Sequence, residues 1–150
     1  MACVLGVAMD MVTAHVAVEY FTVHHPKVVE STSPVVMALV WGVGASWWFG
    51  ALAGGVLVYV NSRRSNPLPP ADIRPMMGKA CVALWVILML ILAGTYGLIS
   101  ALPIPRRATF DFDRRIMSVA LTHTTEYVLG LIALVVVAVR VRRCPGPSGL

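Results

Sequence analysis

Residues 14–26 read AHVAVEYFTVHHP and form the second half of an apolar block long enough to cross a lipid bilayer. About 20 apolar residues are needed for a helix to span the hydrocarbon core, and the block at 2–24 reaches that length. His15, Glu19 and Thr22 follow one another at spacings that place all of them on one helical face. Because isolated charges are costly inside a bilayer, this face is expected to point into a bundle of helices.

The composition is that of a membrane protein. Of 150 residues, 58% are apolar and only 13% are charged, whereas about 25% are charged in an ordinary soluble chain. The apolar residues fall into separate blocks, each near the length of one span. We therefore predict an all-α membrane protein embedded in the lipid bilayer, a single domain over residues 1–150. Its bundle of transmembrane helices is predicted at 2–24, 34–60, 76–102 and 116–139.

The charges of the chain predict its orientation in the membrane. The formal net charge is +5, but Lys and Arg lie at the ends of the apolar blocks. They form no basic-aromatic surface, so no nucleic-acid partner is expected. Seven Lys or Arg residues lie on the side that holds the second loop and the C-terminal tail, against five on the other side. The positive-inside rule then predicts an integral protein of the bacterial inner membrane with both termini in the cytoplasm.

The first block is predicted to be retained and not cleaved as a signal peptide. It lacks a preceding basic segment, and Asp10, His15 and Glu19 interrupt its apolar run. Asp10 itself has two interpretations. Either water or a neighbouring helix satisfies it, or it is a carboxylate of a proton relay. The cysteines at 3, 81 and 144 show no disulfide pattern.

A matching polar set occurs in the fourth apolar block. His123, Glu126 and Tyr127 share one helical face by their spacing. The first and fourth helices run in opposite directions, so depth can be counted from one surface at about 1.5 Å per residue. That count places Glu19 level with His123. It also places His15 level with Glu126, which predicts crossed His–Glu pairs between the two helices.

The donor set of these pairs is that of a metal site. Imidazole and carboxylate ligands suit Zn, Fe or Mn. The predicted ligands are His15, Glu19, His123 and Glu126, with His24 and His25 as further ligands at the entrance. A haem between His15 and His123 fits less well, since carboxylates are unusual neighbours in an apolar haem pocket. The alternative is a structural role, in which the His–Glu pairs only lock the two helices together.

The second block contains a ridge of small residues at intervals of four. Such a ridge allows another helix backbone to approach closely. The partner of the ridge is the first helix, the third helix or another subunit. The ridge is made of Ala38, Gly42, Ser46, Gly50 and Gly54.

Short motifs give a family resemblance. The His-x-x-x-Glu-Tyr stretch from His15, the His-His-Pro stretch from His24 and the Trp-rich second block resemble a group of small four-helix bacterial integral membrane proteins that are uncharacterised. The resemblance implies the four-helix fold and no activity. The His-x-x-x-Glu motif is also similar to that of sterol-isomerase-like four-helix families, in which His and Glu move a proton along a lipid skeleton.

These observations predict three classes of function. The first is an intramembrane His/Glu site near the outer face that binds a metal ion or similar ligand. The second is a non-catalytic accessory subunit of a larger membrane complex, held through the small-residue ridge. The third is a small membrane enzyme that uses a His–Glu pair for proton transfer.

Overall fold

The computed structural model describes residues 1–101 and 114–145, and all regular secondary structure in these ranges is helical. Arg106 and Arg107, which enter the charge comparison above, lie outside the described residues. The helices are α1 (Ala2–Val16), α2 (Val18–Thr22), α3 (Pro34–Gly44), α4 (Trp47–Ser62), α5 (Pro70–Ala101) and α6 (Arg114–Arg143).

Three helical segments of the described chain are long and apolar enough to cross a membrane, namely Pro34–Ser62, Pro70–Ala101 and Arg114–Arg143. In each of them only 17% of the most apolar window is buried. Large apolar side chains point outward, for example Val58 at 70% and Leu90 at 68% exposure. In water such a surface would be unfavourable, whereas lipid covers it at no cost. The all-helical class is therefore confirmed, and three helical segments could span a membrane by their length and composition, whereas a bundle of four transmembrane helices stays a prediction.

The first predicted helix is interrupted. α1 ends at Val16, and Ala17 adopts an extended conformation with φ −150° and ψ 86° before α2 begins. The short α2 then turns the aromatic residues of this segment toward α6. At 15 residues, α1 is shorter than a full span. α1 and α2 together correspond to the block predicted at 2–24.

The second predicted helix is also interrupted, at Ala45 and Ser46 between α3 and α4. The Ser46 hydroxyl donates a hydrogen bond to the Gly42 carbonyl at this point. A hydroxyl that bonds back to its own helix is associated with bending. The third and fourth helices are continuous, but longer than predicted, since α5 begins at Pro70 and α6 ends at Arg143.

The small-residue ridge packs against α1. A methyl group added to Gly42 would lie 2.6 Å from the backbone nitrogen and Cα of Val7, so the two backbones touch directly. One added to Gly50 would lie 2.9 Å from the Ala2 side chain. One added to Gly54 would meet open space. The first helix is thus the close partner of most of the ridge, within the same chain.

The residues 63–69 mark one end of the bundle. Arg64 donates hydrogen bonds to the Val141 and Arg142 carbonyls of α6, the latter at 3.0 Å, and to the carbonyl of Cys144 just beyond the helix at 2.6 Å. A cation at this position satisfies carbonyls that the helix leaves unpaired. The N-terminus of α1 lies toward the same end, because a methyl group added to Gly78, in the first third of α5, would lie 3.5 Å from the Met1 side chain. We call this the 63–69 end and the opposite one the 23–33 end.

Candidate functional site

The inward face of α1 places a carboxylate and a hydroxyl inside the bundle. Asp10 is 4% exposed and Thr13 is fully buried. The Thr13 hydroxyl donates to the Met9 carbonyl at 3.1 Å. Asp10 and Thr13 are three residues apart, so both lie on the face of the helix that meets α6.

His123 of α6 lies between two carboxylates. Its Nε2 is 3.5 Å from the Asp10 carboxylate and 3.2 Å from the Thr13 hydroxyl. Its Nδ1 is 3.3 Å from the Glu126 carboxylate. The side chains of all three ionisable residues are largely buried, at 6% exposure for Asp10, 14% for His123 and 17% for Glu126. We call Asp10, His123 and Glu126 the acid–histidine cluster.

The hydrogen bonds around the imidazole determine where protons are needed. The Thr13 hydroxyl uses its own proton toward Met9, so its oxygen accepts from His123, which requires a proton on Nε2. On the other side Nδ1 faces a carboxylate oxygen of Glu126. Two acceptors repel unless one of them is protonated, so this contact requires a second proton, on either Nδ1 or Glu126. A contact of this kind between an imidazole nitrogen and a carboxylate is an arrangement that acid–base chemistry uses.

The break at Ala17 brings two aromatic rings against the imidazole. The Tyr20 ring is parallel to that of His123, with the centroids 5.3 Å apart and an angle of 3° between the planes. The Phe21 ring meets the imidazole edge-on at 5.6 Å. Non-helical backbone at membrane depth is tolerated only where it is buried in protein or lines a cavity. Ala17 is 1% exposed, consistent with the first of these conditions.

A cavity of about 440 Å³ runs along the bundle beside the acid–histidine cluster. All members of the cluster line it, together with His25 and Trp41 toward the 23–33 end. Its walls toward the 63–69 end are apolar and include Leu57, Leu134 and Val137. The volume lies within the range of about 300–1,000 Å³ that small-molecule sites occupy.

The structure places the predicted site residues in two groups. His123 and Glu126 lie on one face of α6, as their spacing predicts, and in the structure their side chains also contact each other. His15 is exposed, and its Nδ1 hydrogen-bonds the Met11 carbonyl of its own helix at 2.6 Å. Glu19 pairs instead with Arg115 at 3.5 Å, where both side chains are nearly half exposed. The predicted crossed pairs between His15, Glu19 and the fourth helix are therefore not formed in the structure.

The two histidines at the 23–33 end, His24 and His25, differ in their surroundings. His24 is exposed. His25 donates from Nδ1 to the Tyr20 carbonyl at 2.8 Å, and its ring contacts Tyr20 at 4.6 Å and Trp41 at 4.8 Å between centroids. His25 thus belongs to an aromatic group at the cavity, while His24 does not line it.

The geometry gives the metal prediction no support. Among residues 1–101 and 114–145, no group of three or more His, Cys, Asp or Glu side chains is placed to hold a metal ion. The reason lies in the ring of His123, because Asp10 and Glu126 lie at different nitrogens, whose lone pairs point in different directions. One ion cannot reach both carboxylates through the same imidazole. Binding of Zn, Fe, Mn or haem stays a prediction.

Asp10 and Thr13 take the place predicted for Glu19 and His15. His15 precedes the break and lies on the exposed face of α1, opposite the face that buries Asp10 and Thr13. The depth count also assumed one continuous helix, whereas the extended residue Ala17 displaces Glu19, which follows it. A signal for the inward face was present in the sequence. Gly6, Asp10, Thr13 and Ala17 follow at spacings of four and three, and small residues of that spacing mark a packed helix face.

The sequence and the structure were compared with known proteins. No protein family, curated protein or solved structure matches the chain. The resemblance to small bacterial four-helix proteins therefore stays a prediction, and the function is argued from the site alone.

Proposed function

We propose that this chain is a four-span membrane protein that binds a small lipophilic molecule in the cavity beside the acid–histidine cluster. The polar group of the ligand lies at His123, where the His123–Glu126 pair can exchange a proton with it. The observation that carries the proposal is the cavity of about 440 Å³, whose apolar walls meet this buried cluster. Apolar pockets with a few convergent polar groups are the usual form of small-molecule sites.

The membrane setting supports a functional role for the cluster. Ionisable side chains inside a bilayer are expensive, and they commonly line substrate or proton pathways. In this proposal α1 and α2 together form the first span. The 63–69 end faces the cytoplasm, because Lys and Arg are in excess at that end.

The accessory-subunit prediction has less support than ligand binding. Its evidence was the small-residue ridge, and α1 covers that ridge at Gly42 and Gly50. Gly54 is the ridge position that retains open space for a partner.

Filling the cavity tests ligand binding. Ala53 lies in α4, is 9% exposed and lines the cavity, whereas Ala51 of the same helix is exposed. We expect Ala53→Leu to weaken binding of the neutral fluorescent probe N-phenylnaphthylamine by about tenfold or more, because the larger side chain occupies the site. Ala51→Leu adds the same side chain on the outer surface and should leave binding unchanged. The measurement is a fluorescence titration of purified protein in a non-ionic detergent.

Two outcomes would count against the proposal. Equal probe binding by wild type, Ala53→Leu and Ala51→Leu would mean that the probe binds only the detergent or the outer surface. Elemental analysis of the same samples provides a separate measurement. A stoichiometric metal that is lost in His123→Ala would favour the metal site over a lipophilic ligand.

A further inference from the structure

The charges in the middle of the cavity are unbalanced. Asp10 and Glu126 supply two carboxylates there, and none of the lining side chains is Lys or Arg in the described part of the chain. The α-amino group of Met1, which also lines the cavity, lies at the 63–69 end, about 13 Å from Asp10 along α1. The proton shared by His123 and Glu126 leaves that pair neutral overall, whether it lies on the imidazole or on the carboxylate. An ionised Asp10 is then an uncompensated negative charge beside the cavity.

Asp10 also has an incomplete set of partners. It is 4% exposed, and in residues 1–101 and 114–145 its nearest ionic partner is His123 at 3.5 Å. No hydrogen bond to its carboxylate forms within this part of the chain, although buried carboxylates ordinarily accept several. A group that brings a positive charge or a hydrogen-bond donor into the cavity would supply what this carboxylate lacks.

Aromatic rings surround the same part of the cavity. Tyr20, Phe21 and Trp41 line it toward the 23–33 end, and Trp47 and Tyr127 line it near the cluster. The faces of aromatic rings attract cations, most strongly where water is excluded. Carboxylates together with several aromatic rings are a combination that favours a cation over an anion.

The remainder of the cavity suits an apolar body. Toward the 63–69 end the lining includes the apolar side chains of Leu57, Leu134 and Val137. A bound molecule would therefore have its charge near Asp10 and its hydrocarbon part directed toward the 63–69 end. An ammonium and a phosphonium group both meet this requirement.

We propose that the ligand class of this cavity is a lipophilic cation, with its positive head beside Asp10 and Glu126 and its apolar part along the leucine-lined walls. This inference rests on the proposed function, because it names the ligand class of the same site. It makes a distinct claim, which is that binding depends on the sign of the ligand's charge.

Three octyl compounds of matched length test the sign of the charge. The three compounds are octyltrimethylammonium, n-octanol and octanesulfonate. Each is titrated against N-phenylnaphthylamine bound to the purified protein in non-ionic detergent, and displacement of the probe is measured. The pH is about 8, where an ordinary carboxylate is ionised. We expect the cation to displace the probe at a concentration about tenfold below that of the alcohol, and the sulfonate to be the weakest. The Asp10→Asn variant should reduce the preference for the cation over the alcohol to about twofold or less, with binding of the alcohol retained. Glu19→Gln, which removes a carboxylate outside the cavity, is the matched control and should keep the full preference.

The outcomes separate this inference from the proposed function. If the neutral probe and the alcohol bind but the sulfonate binds as well as the cation, the cavity is a ligand site and the inference is wrong. If the preference for the cation survives in both Asp10→Asn and Glu126→Gln, it arises elsewhere and the inference is also wrong. If N-phenylnaphthylamine does not bind at all, the proposed function fails first. Melting curves confirm that each variant is folded, and Glu126→Gln provides the second test if Asp10→Asn does not fold.

Discussion

Replacing Gly42 with alanine will cause a large loss of stability, although alanine is normally the better helix former. The added methyl group would lie 2.6 Å from backbone atoms of Val7, and backbone cannot move aside as a flexible side chain can. Relief requires α1 and α3 to separate, which would disturb the face that holds Asp10 and Thr13. Overpacking typically costs about 1–3 kcal/mol, and we expect a value at or above the upper end of that range. The measurement is thermal unfolding in detergent, followed by tryptophan fluorescence.

Matched controls lie in the same span. Gly44 and Gly54 have open space where a methyl group would be added, so Gly44→Ala and Gly54→Ala should be neutral or stabilising by up to about 1 kcal/mol. A Gly42→Ala protein that melts like these controls would show that α1 does not pack directly on the ridge. The arrangement of the acid–histidine cluster would then lose its support.

Opposite changes of stability are expected within the acid–histidine cluster. Asp10→Asn removes the uncompensated carboxylate and leaves His123 paired with Glu126, so we expect a gain of about 1 kcal/mol. His123→Gln removes the imidazole that pairs with Glu126 and separates the two carboxylates, and leaves both carboxylates buried together. Breaking a buried ion pair in this way costs about 3–5 kcal/mol, and we expect a loss of about 3 kcal/mol. Both changes are measured as shifts in the melting curve at neutral pH.

The exposed His15 provides the control for this pair of variants. His15→Gln should change the stability by less than about 0.5 kcal/mol, because His15 is exposed and its ring hydrogen-bonds the Met11 carbonyl of its own helix. If Asp10→Asn and His123→Gln both lower stability by similar amounts, the cluster is a structural lock between α1 and α6. That result would favour a structural role for the histidine and the carboxylates. It would argue against the proposal that Asp10 is left without a partner until a ligand binds.

Hydropathy and residue spacing predicted those features of the fold that lie within a single helix. The apolar blocks identified the helical segments, because hydropathy over about 20 residues is a property of the segment itself. That His123 and Glu126 lie on one face of a helix followed from their spacing, although their contact with each other was not predicted. Both inferences needed no knowledge of which helices are neighbours.

The breaks in the first and second spans could not be predicted in the same way. Neither Ala17 nor Ala45 is a residue that interrupts a helix by its own propensity, so packing determines where the helix stops. Because the break at Ala17 lies between Asp10 and Glu19, it changed which carboxylate of the first segment meets His123. The cavity is likewise a property of the assembled helices, and no single stretch of sequence indicates it.

The cysteines allow the most direct test of the cavity. Cys81 lines it, whereas Cys144 lies outside it near the C-terminus of α6. The measurement compares the rates at which a small maleimide labels these thiols, with and without saturating octyltrimethylammonium or N-phenylnaphthylamine, by mass spectrometry of the peptides. If the cavity is the ligand site, a bound probe will slow labelling of Cys81 by about tenfold and leave Cys144 unchanged. An unchanged rate at Cys81 while the probe is bound would contradict the account, because the ligand would then lie elsewhere.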